Sequence, residues 1–321
     1  MQTYCNLEEE ERFGYKVTAE SKQLWNIQLN MLQKLVEVCK EHHLRIYASS
    51  GTMLGAVRHQ GYIPWDDDID MDMPREDYDK LIKIAPQVFE DPYFLQCAYT
   101  DKGYYRVHAQ MRYKGTAQIL PGDIYRDFDQ SVFIDIFPVD GLPTTEEEKK
   151  ALGKQSHRIL SYLHFRRYRK SLLKPIQYLG KLMKLKSLCF LSDKELYSRY
   201  EDLYRAYPVD KSEYSGILTF GLWRTYNFFK TEWYGEVKEM PFEKITIPVS
   251  IHYHEMLSSI YGTDYMTPKQ VPSCHGECII DLNRSYLSIL PEMRKSRIQH
   301  FQNKIKRRLK LREINKCNDM V

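Results

Sequence analysis

One stretch, residues 46–72, constrains the fold and the chemistry of this 321-residue chain more than any other. A short apolar run at residues 46–48 leads to Ser50-Gly51-Thr52 and then to a segment compatible with a helix. This order predicts a strand, a tight turn and the N-terminus of a helix. Because the first N–H groups of a helix lack partners within it, such a turn suits an anion, most often phosphate.

Four aspartates follow at every second position, namely Asp66, Asp68, Asp70 and Asp72. Alternate side chains of a β-strand share one face, so we expect the four carboxylates on one face and the intervening apolar side chains in the core. A row of like charges persists most readily when a divalent cation neutralises it. A few oxygen ligands suit Mg²⁺ or Mn²⁺ engaged with a phosphate. The alternative is a solvated acidic loop after Pro64.

A lone carboxylate, Asp135, stands in the apolar run of residues 133–137. Burying an unpaired carboxylate is costly, so it needs hydrogen-bond donors, a cation or a metal. The structural alternative is that Asp135 caps a turn or pairs with Arg112. Asp140, which precedes Gly141, is predicted to be a turn residue.

The segment between the two acidic motifs carries Arg106, His108, Gln110 and Arg112 at alternate positions. In a strand these side chains share a face that suits phosphate oxygens, to which arginine binds well. A solvated strand face is the alternative for Arg106 and His108.

Near the C-terminus, His275 lies between Cys274 and Cys278. A structural zinc site usually needs four well-spaced ligands, and a second cysteine pair is not nearby. We therefore predict that His275 contacts phosphate or acts as an acid near the site.

The formal net charge of +4 hides two basic segments. Residues 149–192 contain twelve lysines and arginines, residues 294–312 contain nine, and neither segment has an aspartate or glutamate. Such segments need an anionic partner or counter-ions. An apolar stripe in the first segment predicts a helix at an anionic membrane surface, with packing on the protein core and nucleic-acid binding as alternatives. The stripe consists of Leu172, Ile176, Leu179 and Met183, surrounded by Lys174, Lys181, Lys184 and Lys186.

The sequence also bears on location. Seven scattered cysteines indicate reduced thiols. The N-terminus lacks the apolar core of a secretory signal, and no stretch approaches the ~20 apolar residues that span a bilayer. We therefore expect a cytoplasmic protein, either free or peripheral on the inner face of the cytoplasmic membrane.

Residues 51–73, GTMLGAVRHQGYIPWDDDIDMDM, closely resemble the LicD family of phosphotransferases, to which fukutin-type proteins are related, within the nucleotidyltransferase superfamily. Residues 133–140, FIDIFPVD, resemble the downstream motif of that family. Residues 240–248 and 261–268 are similar to its C-terminal pattern, although Thr263 interrupts the usual Gly-Asp pair. The resemblance spans residues 44–282 but is specific only at these motifs, and it leaves out the basic segments.

The resemblance implies a metal pair at Asp68 and Asp70, with Asp66 or Asp72 as alternatives because the regular spacing leaves the register open. It implies that Asp135, from a neighbouring strand, completes the metal site and orients or deprotonates an acceptor hydroxyl.

The remaining site residues are predicted to bind phosphate. The turn at Ser50, Gly51 and Thr52 and the nearby Arg58 would position the donor phosphates. Arg112 resembles an arginine that precedes a Lys-x-Thr-like turn in LicD proteins, and we expect it to bind the donor phosphates as well.

These observations predict an α/β (α+β) fold: a nucleotidyltransferase-like core whose small mixed sheet is flanked by helices, with a basic helical insertion. We expect the N-terminal helix and catalytic core at residues 1–148 and the insertion at 149–212. The C-terminal part of the catalytic domain follows at 213–290, and a basic helical tail at 291–321.

The resemblance also implies the reaction. It is a Mg²⁺- or Mn²⁺-dependent transfer of phosphocholine, or a similar phospho-alcohol, from a CDP-choline-like donor. The acceptor is a hydroxyl of a glycan or lipid-linked glycan precursor of lipopolysaccharide, teichoic acid or capsule. The alternatives are a nucleotidyltransferase that transfers NMP, a sugar-phosphate transferase, and a non-catalytic protein that binds a membrane surface. Nucleic acid is not an expected partner.

Overall fold

A seven-stranded mixed sheet forms the centre of the fold in a computed structural model of the protein. The structure describes residues 1–168, 188, 190–220, 228–270, 278–297 and 299. In chain order the elements are β1 (Glu10–Arg12), β2 (Tyr15–Val17), α1 (Ala19–Glu41), β3 (Tyr47–Ala48), α2 (Ser50–His59), β4 (Asp70–Pro74), α3 (Arg75–Val88), β5 (Tyr93–Gln96), β6 (Ala109–Tyr113), β7 (Ala117–Ile119), β8 (Val132–Gly141), α4 (Glu146–Tyr168), α5 (Asp193–Arg205), β9 (Tyr214–Gly216), β10 (Phe228–Lys230), β11 (Val237–Phe242), β12 (Ile245–Ser250), α6 (Tyr253–Tyr261) and β13 (Ile279–Asp281).

The long strand β8 organises the central sheet. On one side it pairs in parallel with β4, which pairs antiparallel with β3. On the other side β6 runs antiparallel to the first half of β8 and β9 to its last residues, with β5 and β10 as their outer neighbours. The predicted mixed sheet with flanking helices is therefore confirmed.

Helix α1 follows its sequence signals closely. The Thr18 side chain accepts a hydrogen bond from the Ser21 amide at 3.2 Å, as expected of an N-cap. Leu24, Met31 and Leu35 are buried along the helix, and so is its polar member Gln28. The helical spacing of these residues predicts an amphipathic helix, which the structure confirms, and the buried glutamine needs hydrogen-bond partners inside the protein.

Helices α2 and α3 bracket the acidic segment. Helix α2 ends at His59, and Gln60 rather than the following glycine adopts the left-handed conformation at its C-cap, with φ of 53°. Pro74 predicts the start of a helix at the next residue; helix α3 does begin at Arg75, and it buries Tyr78 and Leu81.

The acidic segment differs from the prediction. Strand β4 begins only at Asp70, so Asp66 and Asp68 lie in the preceding loop, and the prediction of one strand that carries all four aspartates is wrong. The Asp66 amide donates to the Ile63 carbonyl at 2.9 Å and closes a turn. Side chains of α1, not a neighbouring strand, bind the carbonyls of Asp66 and Asp67.

Asp140 is also placed differently from its prediction as a turn residue. It lies in β8, is fully buried, and accepts two hydrogen bonds from the Arg75 guanidinium, at 2.7 Å from Nε and 2.8 Å from Nη2. Arg75 also donates to Glu201 of α5 at 3.3 Å. This buried ion pair joins the start of α3, the end of β8 and α5.

The first part of the basic insertion packs on the protein. Leu152, Ile159 and Leu163 of α4 form an apolar cluster with Leu196 and Tyr200 of α5. The predicted membrane stripe at residues 172–183 and its four lysines lie outside the described residues. Within the described part of the chain, the helices are too short or too polar to cross a bilayer.

Asp140→Ala should lower the free energy of unfolding by about 3–5 kcal/mol, because it leaves the buried Arg75 charge without its main partner. Urea denaturation followed by circular dichroism measures this. Glu9→Ala removes an exposed partner of Lys16 and is the control, for which we expect almost no change. Equal stability of Asp140→Ala and the wild type would show that this ion pair does not hold the fold.

Candidate active site

A cavity of about 350 Å³ opens beside the N-terminus of α2. Its walls come from α2, the loop that carries Asp66, Asp67 and Asp68 (the acidic loop), the start of β4, and the segment that includes the end of α6. The lining residues are Ser50, Gly51, Leu54, Arg58, Ile63, Trp65, Asp66, Asp68, Asp70, Tyr261, Asp264, Tyr265, Thr267 and Lys269. Cationic and anionic groups thus face one another across a space large enough for part of a small phosphorylated ligand.

The predicted phosphate turn lies at this cavity. Ser50 and Gly51 are the first residues of α2 and both line the wall, where N–H groups of a helix N-terminus suit an anion. Thr52 has another role: it is buried, and its hydroxyl accepts a hydrogen bond from the Asp70 amide at 2.8 Å. Thr52 therefore holds the start of β4 beside α2.

Gly51 allows a carboxylate to approach closely. A Cβ atom at this position would lie 3.0 Å from Oδ2 of Asp66, closer than ordinary van der Waals contact. The glycine therefore lets the acidic loop pack directly against the first turn of α2.

Arg58 links α2 to the far wall. Its Nη1 donates to the Tyr265 carbonyl at 2.7 Å, and its Nε donates to His59 Nε2 at 2.8 Å. Burial and the neighbouring Arg58 charge lower the pKa of His59 to about 4, so His59 is neutral at pH 7 and can accept this hydrogen bond. The His59 ring and the Tyr265 carbonyl thus hold the Arg58 side chain in the cavity wall.

The acidic loop brings three carboxylates together. One oxygen each from Asp66, Asp67 and Asp68 lies within 4.8 Å of the other two. Burial, followed by the charge and hydrogen bond of Asp68, raises the pKa of Asp66 to about 9. Three crowded carboxylates, once ionised, are a donor set that fits a hard divalent cation such as Mg²⁺ or Mn²⁺, whose charge would relieve their repulsion.

Asp67 is a residue that sequence reasoning missed. A strand would have turned Asp67 away from its neighbours, and only the loop conformation places all three carboxylates together. The signal available in the sequence was the unbroken run Asp66-Asp67-Asp68, which begins two residues after Pro64.

The second acidic motif lies beside the first in the sheet. Asp70 of β4 and Asp135 of β8 are register partners in a parallel pair, so their side chains stand next to each other on one face. Asp70 lines the cavity, whereas Asp135 lies deeper and is 6% exposed. The pairing of β4 with β8 therefore brings together the two predicted motifs.

Asp135 is surrounded by donors. Oδ1 of Asp135 lies 2.9 Å from His108 Nε2 and accepts from Gln110 Nε2 at 2.7 Å. Burial by itself raises the pKa of Asp135, but His108, the Arg106 charge and the Gln110 hydrogen bond together outweigh it and hold the pKa below its usual value. Asp135 is therefore an ionised carboxylate whose partners come from β6 and the segment before it, not from Arg112.

Arg112 lies in the interior, not at the cavity where a phosphate contact was predicted. It is 1% exposed, and burial lowers its pKa to about 10. Its guanidinium donates to Gln96, Gln110 and the Ser131 carbonyl at 2.7, 2.5 and 2.6 Å. Arg112 therefore orients Gln110, which in turn binds Asp135.

Asp72, the alternative metal ligand, is buried in β4, between strands β3 and β8. Its Oδ2 accepts a hydrogen bond from the Tyr234 hydroxyl at 3.2 Å, and burial raises its pKa to about 7. Asp72 ties β4 to the segment that precedes β11. His275 lies outside the described residues.

The C-terminal wall of the cavity was not predicted residue by residue. Tyr261, Asp264, Tyr265, Thr267 and Lys269 close the side opposite α2. Burial, and then the charges of three aspartates across the cavity, raise the pKa of Tyr261, so its hydroxyl remains a neutral donor. The only sequence signal was the resemblance of residues 261–268 to the LicD C-terminal pattern.

The chain is similar in sequence to several known proteins. Residues 43–181 match the LicD/FKTN/FKRP nucleotidyltransferase domain. The lipopolysaccharide cholinephosphotransferase LicD of Haemophilus influenzae is 27% identical over 253 residues, which are 78% of this chain and 92% of that protein. An uncharacterized protein of Rickettsia prowazekii is 37% identical over 97 residues, 30% of this chain and 33% of its own length. One of Rickettsia typhi is 37% identical over 84 residues, 26% of each chain.

The matched region contains the phosphate turn, the acidic loop and both paired strands β4 and β8. Helix α1 and the C-terminal wall lie outside it. The resemblance seen in the sequence motifs is confirmed: residues 43–181 are a LicD/FKTN/FKRP nucleotidyltransferase domain, and the chain is a distant homologue of the cholinephosphotransferase LicD.

Proposed function

We propose that the protein is a divalent-metal-dependent phosphotransferase. It moves phosphocholine, or a similar phospho-alcohol, from a CDP-activated donor to a hydroxyl of a cell-surface glycan precursor. The observation that carries the proposal is the cavity in which the N-terminus of α2 and Arg58 face Asp66, Asp68 and Asp70. Homology to a lipopolysaccharide cholinephosphotransferase supports the donor and acceptor classes.

The proposed reaction is a displacement at phosphorus. The acceptor oxygen attacks the phosphorus that carries the alcohol, and the bond from this phosphorus to the bridging oxygen breaks. CMP leaves with that oxygen, and the proton of the acceptor hydroxyl passes to water. Most of the rate enhancement in such reactions comes from positioning and charge stabilisation.

The residues of the chain divide this work. N–H groups at Ser50 and Gly51 and the Arg58 guanidinium bind the donor phosphates. Asp68 and Asp70 hold Mg²⁺ or Mn²⁺, with the other carboxylates of the acidic loop beside them. When bound, the ion supplies neutralisation of phosphate charge during transfer. Asp135, ionised at neutral pH, accepts a hydrogen bond from the acceptor hydroxyl and orients it.

Product analysis tests the proposed function. The protein is incubated with Mg²⁺ and a panel of CDP-alcohols, with and without glycan acceptors, and the products are identified by mass spectrometry. We expect acceptor-dependent release of CMP and an acceptor that gains the mass of the phospho-alcohol. An acceptor that gains the mass of CMP would instead indicate a nucleotidyltransferase, and turnover of nucleotide sugars alone would indicate a sugar-phosphate transferase.

Asp68→Asn and Asp70→Asn should each reduce kcat/KM by more than about 100-fold, because losing a ligand charge costs more than the 10–100-fold typical of outer-shell changes. Asp72→Asn, a buried aspartate of the same strand that binds Tyr234, is the control and should retain most of the activity. Thermal melting measured in parallel establishes that the variants are folded. Full activity of both Asp68→Asn and Asp70→Asn would rule out the metal pair.

Asp135→Asn should lower kcat much more than it raises KM for the donor, because Asp135 is proposed to orient the acceptor. Asp123→Asn is the control: Asp123 is also a buried aspartate, and it accepts hydrogen bonds from Tyr105 and Arg106 at 2.7 Å each. Steady-state kinetics with donor and acceptor varied separately provide the measurement. A folded Asp135→Asn variant with normal kcat would exclude this role.

Gly51→Ala should lower activity without lowering stability. Alanine favours a helix by up to about 1 kcal/mol over glycine, but its Cβ would press on the Asp66 carboxylate. Gly122→Ala, where the added methyl group meets open space, is the control. Kinetics at several Mg²⁺ concentrations and thermal melting separate the two effects. Unchanged kinetics in Gly51→Ala would show that the close contact with Asp66 is not needed.

A further inference from the structure

Two side chains of α1 bind the backbone of the acidic loop. The Trp25 indole Nε1 donates to the Asp66 carbonyl at 3.0 Å, and Gln28 Nε2 donates to the Asp67 carbonyl at 2.8 Å. Both side chains are fully buried. They come from a helix that precedes the matched domain of residues 43–181.

Gln28 also reaches the second acidic motif. Its Nε2 lies 3.3 Å from the Phe133 carbonyl of β8, two residues before Asp135. A single side-chain amide therefore contacts both the loop that carries Asp66, Asp67 and Asp68 and the strand that carries Asp135. This arrangement restricts the distance between the two sets of carboxylates.

The two donors are themselves held in place. The Trp25 ring stacks on Tyr62 with centroids 4.5 Å apart and an interplanar angle of 1°. The Tyr62 hydroxyl donates to Gln28 Oε1 at 3.0 Å, so the amide is oriented with its NH₂ group towards the loop. The Arg12 guanidinium carbon lies over the Trp25 ring, 5.6 Å from its centroid. Such packing leaves the donors little rotamer freedom.

The acidic loop needs this support when all three carboxylates are ionised, as metal binding requires, because they then repel one another. Their oxygens lie within 4.8 Å, and without a bound cation the repulsion favours any backbone rotation that separates them. Hydrogen bonds to the two loop carbonyls oppose such rotation while leaving the carboxylates available for a ligand. Partners that orient metal ligands in this way commonly affect metal affinity.

We propose that Trp25 and Gln28, here called the carbonyl clamp, are positioning residues of the metal site. This inference rests on the metal assignment made under the proposed function. The clamp keeps the acidic loop at a fixed distance from β8 and so makes helix α1 part of the active site, although neither residue touches the substrate.

The test measures Mn²⁺ binding directly, by electron paramagnetic resonance of free Mn²⁺ in titrations of the full chain. Gln28→Met keeps the size of the side chain and removes the donor. Trp25→Phe keeps the aromatic stack on Tyr62 and removes the indole N–H. We expect each variant to bind Mn²⁺ about 10-fold more weakly than the wild type, and to need correspondingly more Mg²⁺ for half-maximal activity.

Asn30→Ala is the matched control on the same helix. Asn30 is buried but donates to the carbonyls of Gln2 and Asn26, away from the acidic loop. We expect a lower melting temperature in this variant with unchanged Mn²⁺ affinity. If Gln28→Met does not fold, Trp25→Phe decides the result.

The outcomes separate the two proposals. Wild-type protein that binds no Mn²⁺ would overturn the metal assignment and the clamp with it. Wild-type protein that binds Mn²⁺ while the folded clamp variants bind it equally well would overturn the clamp alone. An equal loss of Mn²⁺ affinity in Asn30→Ala would also overturn it, because the effect would then follow from general loosening of α1.

Discussion

Repulsion between crowded carboxylates is the constraint on which the rest of this site depends. Three acidic side chains of one loop lie within 4.8 Å of one another, and Asp70 and Asp135 stand side by side in the sheet. Burial, followed by the charge and hydrogen bond of the neighbouring Asp68, raises the pKa of Asp66 to about 9. Neighbouring elements counter the repulsion by holding the backbone: Trp25 and Gln28 bind the loop carbonyls, and a threonine of α2 binds the first amide of β4.

Strand β8 carries two buried aspartates whose surroundings give them different roles. Asp135, near the middle of the strand, receives hydrogen bonds from His108 and Gln110 and stays ionised beside Asp70 of β4. Asp140, at the end of the strand, is paired with the Arg75 guanidinium and joins two helices to the sheet. The parallel pairing of β4 with β8 places Asp70 next to Asp135 at one end. At the other end the buried ion pair between Arg75 and Asp140 stabilises this pairing.

The cavity is assembled from parts that are far apart in the chain. The homologous domain contributes the phosphate turn, the acidic loop and the paired strands, whereas α1 supports the loop from before this domain. Residues 261–269 form the opposite wall, and Arg58 connects to them through the Tyr265 carbonyl. The arrangement explains why a single family motif indicates the chemistry of the site but does not contain all of its structure.

The sequence by itself determined the elements that depend on local periodicity and turn chemistry. These include α1 with its Thr18 cap, α3, the mixed sheet, and the position of Asp135 within an apolar strand. Only the tertiary structure decided that the acidic run is a loop held by Gln28, that Arg112 is interior, and that Asp140 forms an ion pair. The reason is physical: hydrogen bonding and desolvation of a polar group depend on partners brought close by folding, and these partners lie tens of residues away in the chain.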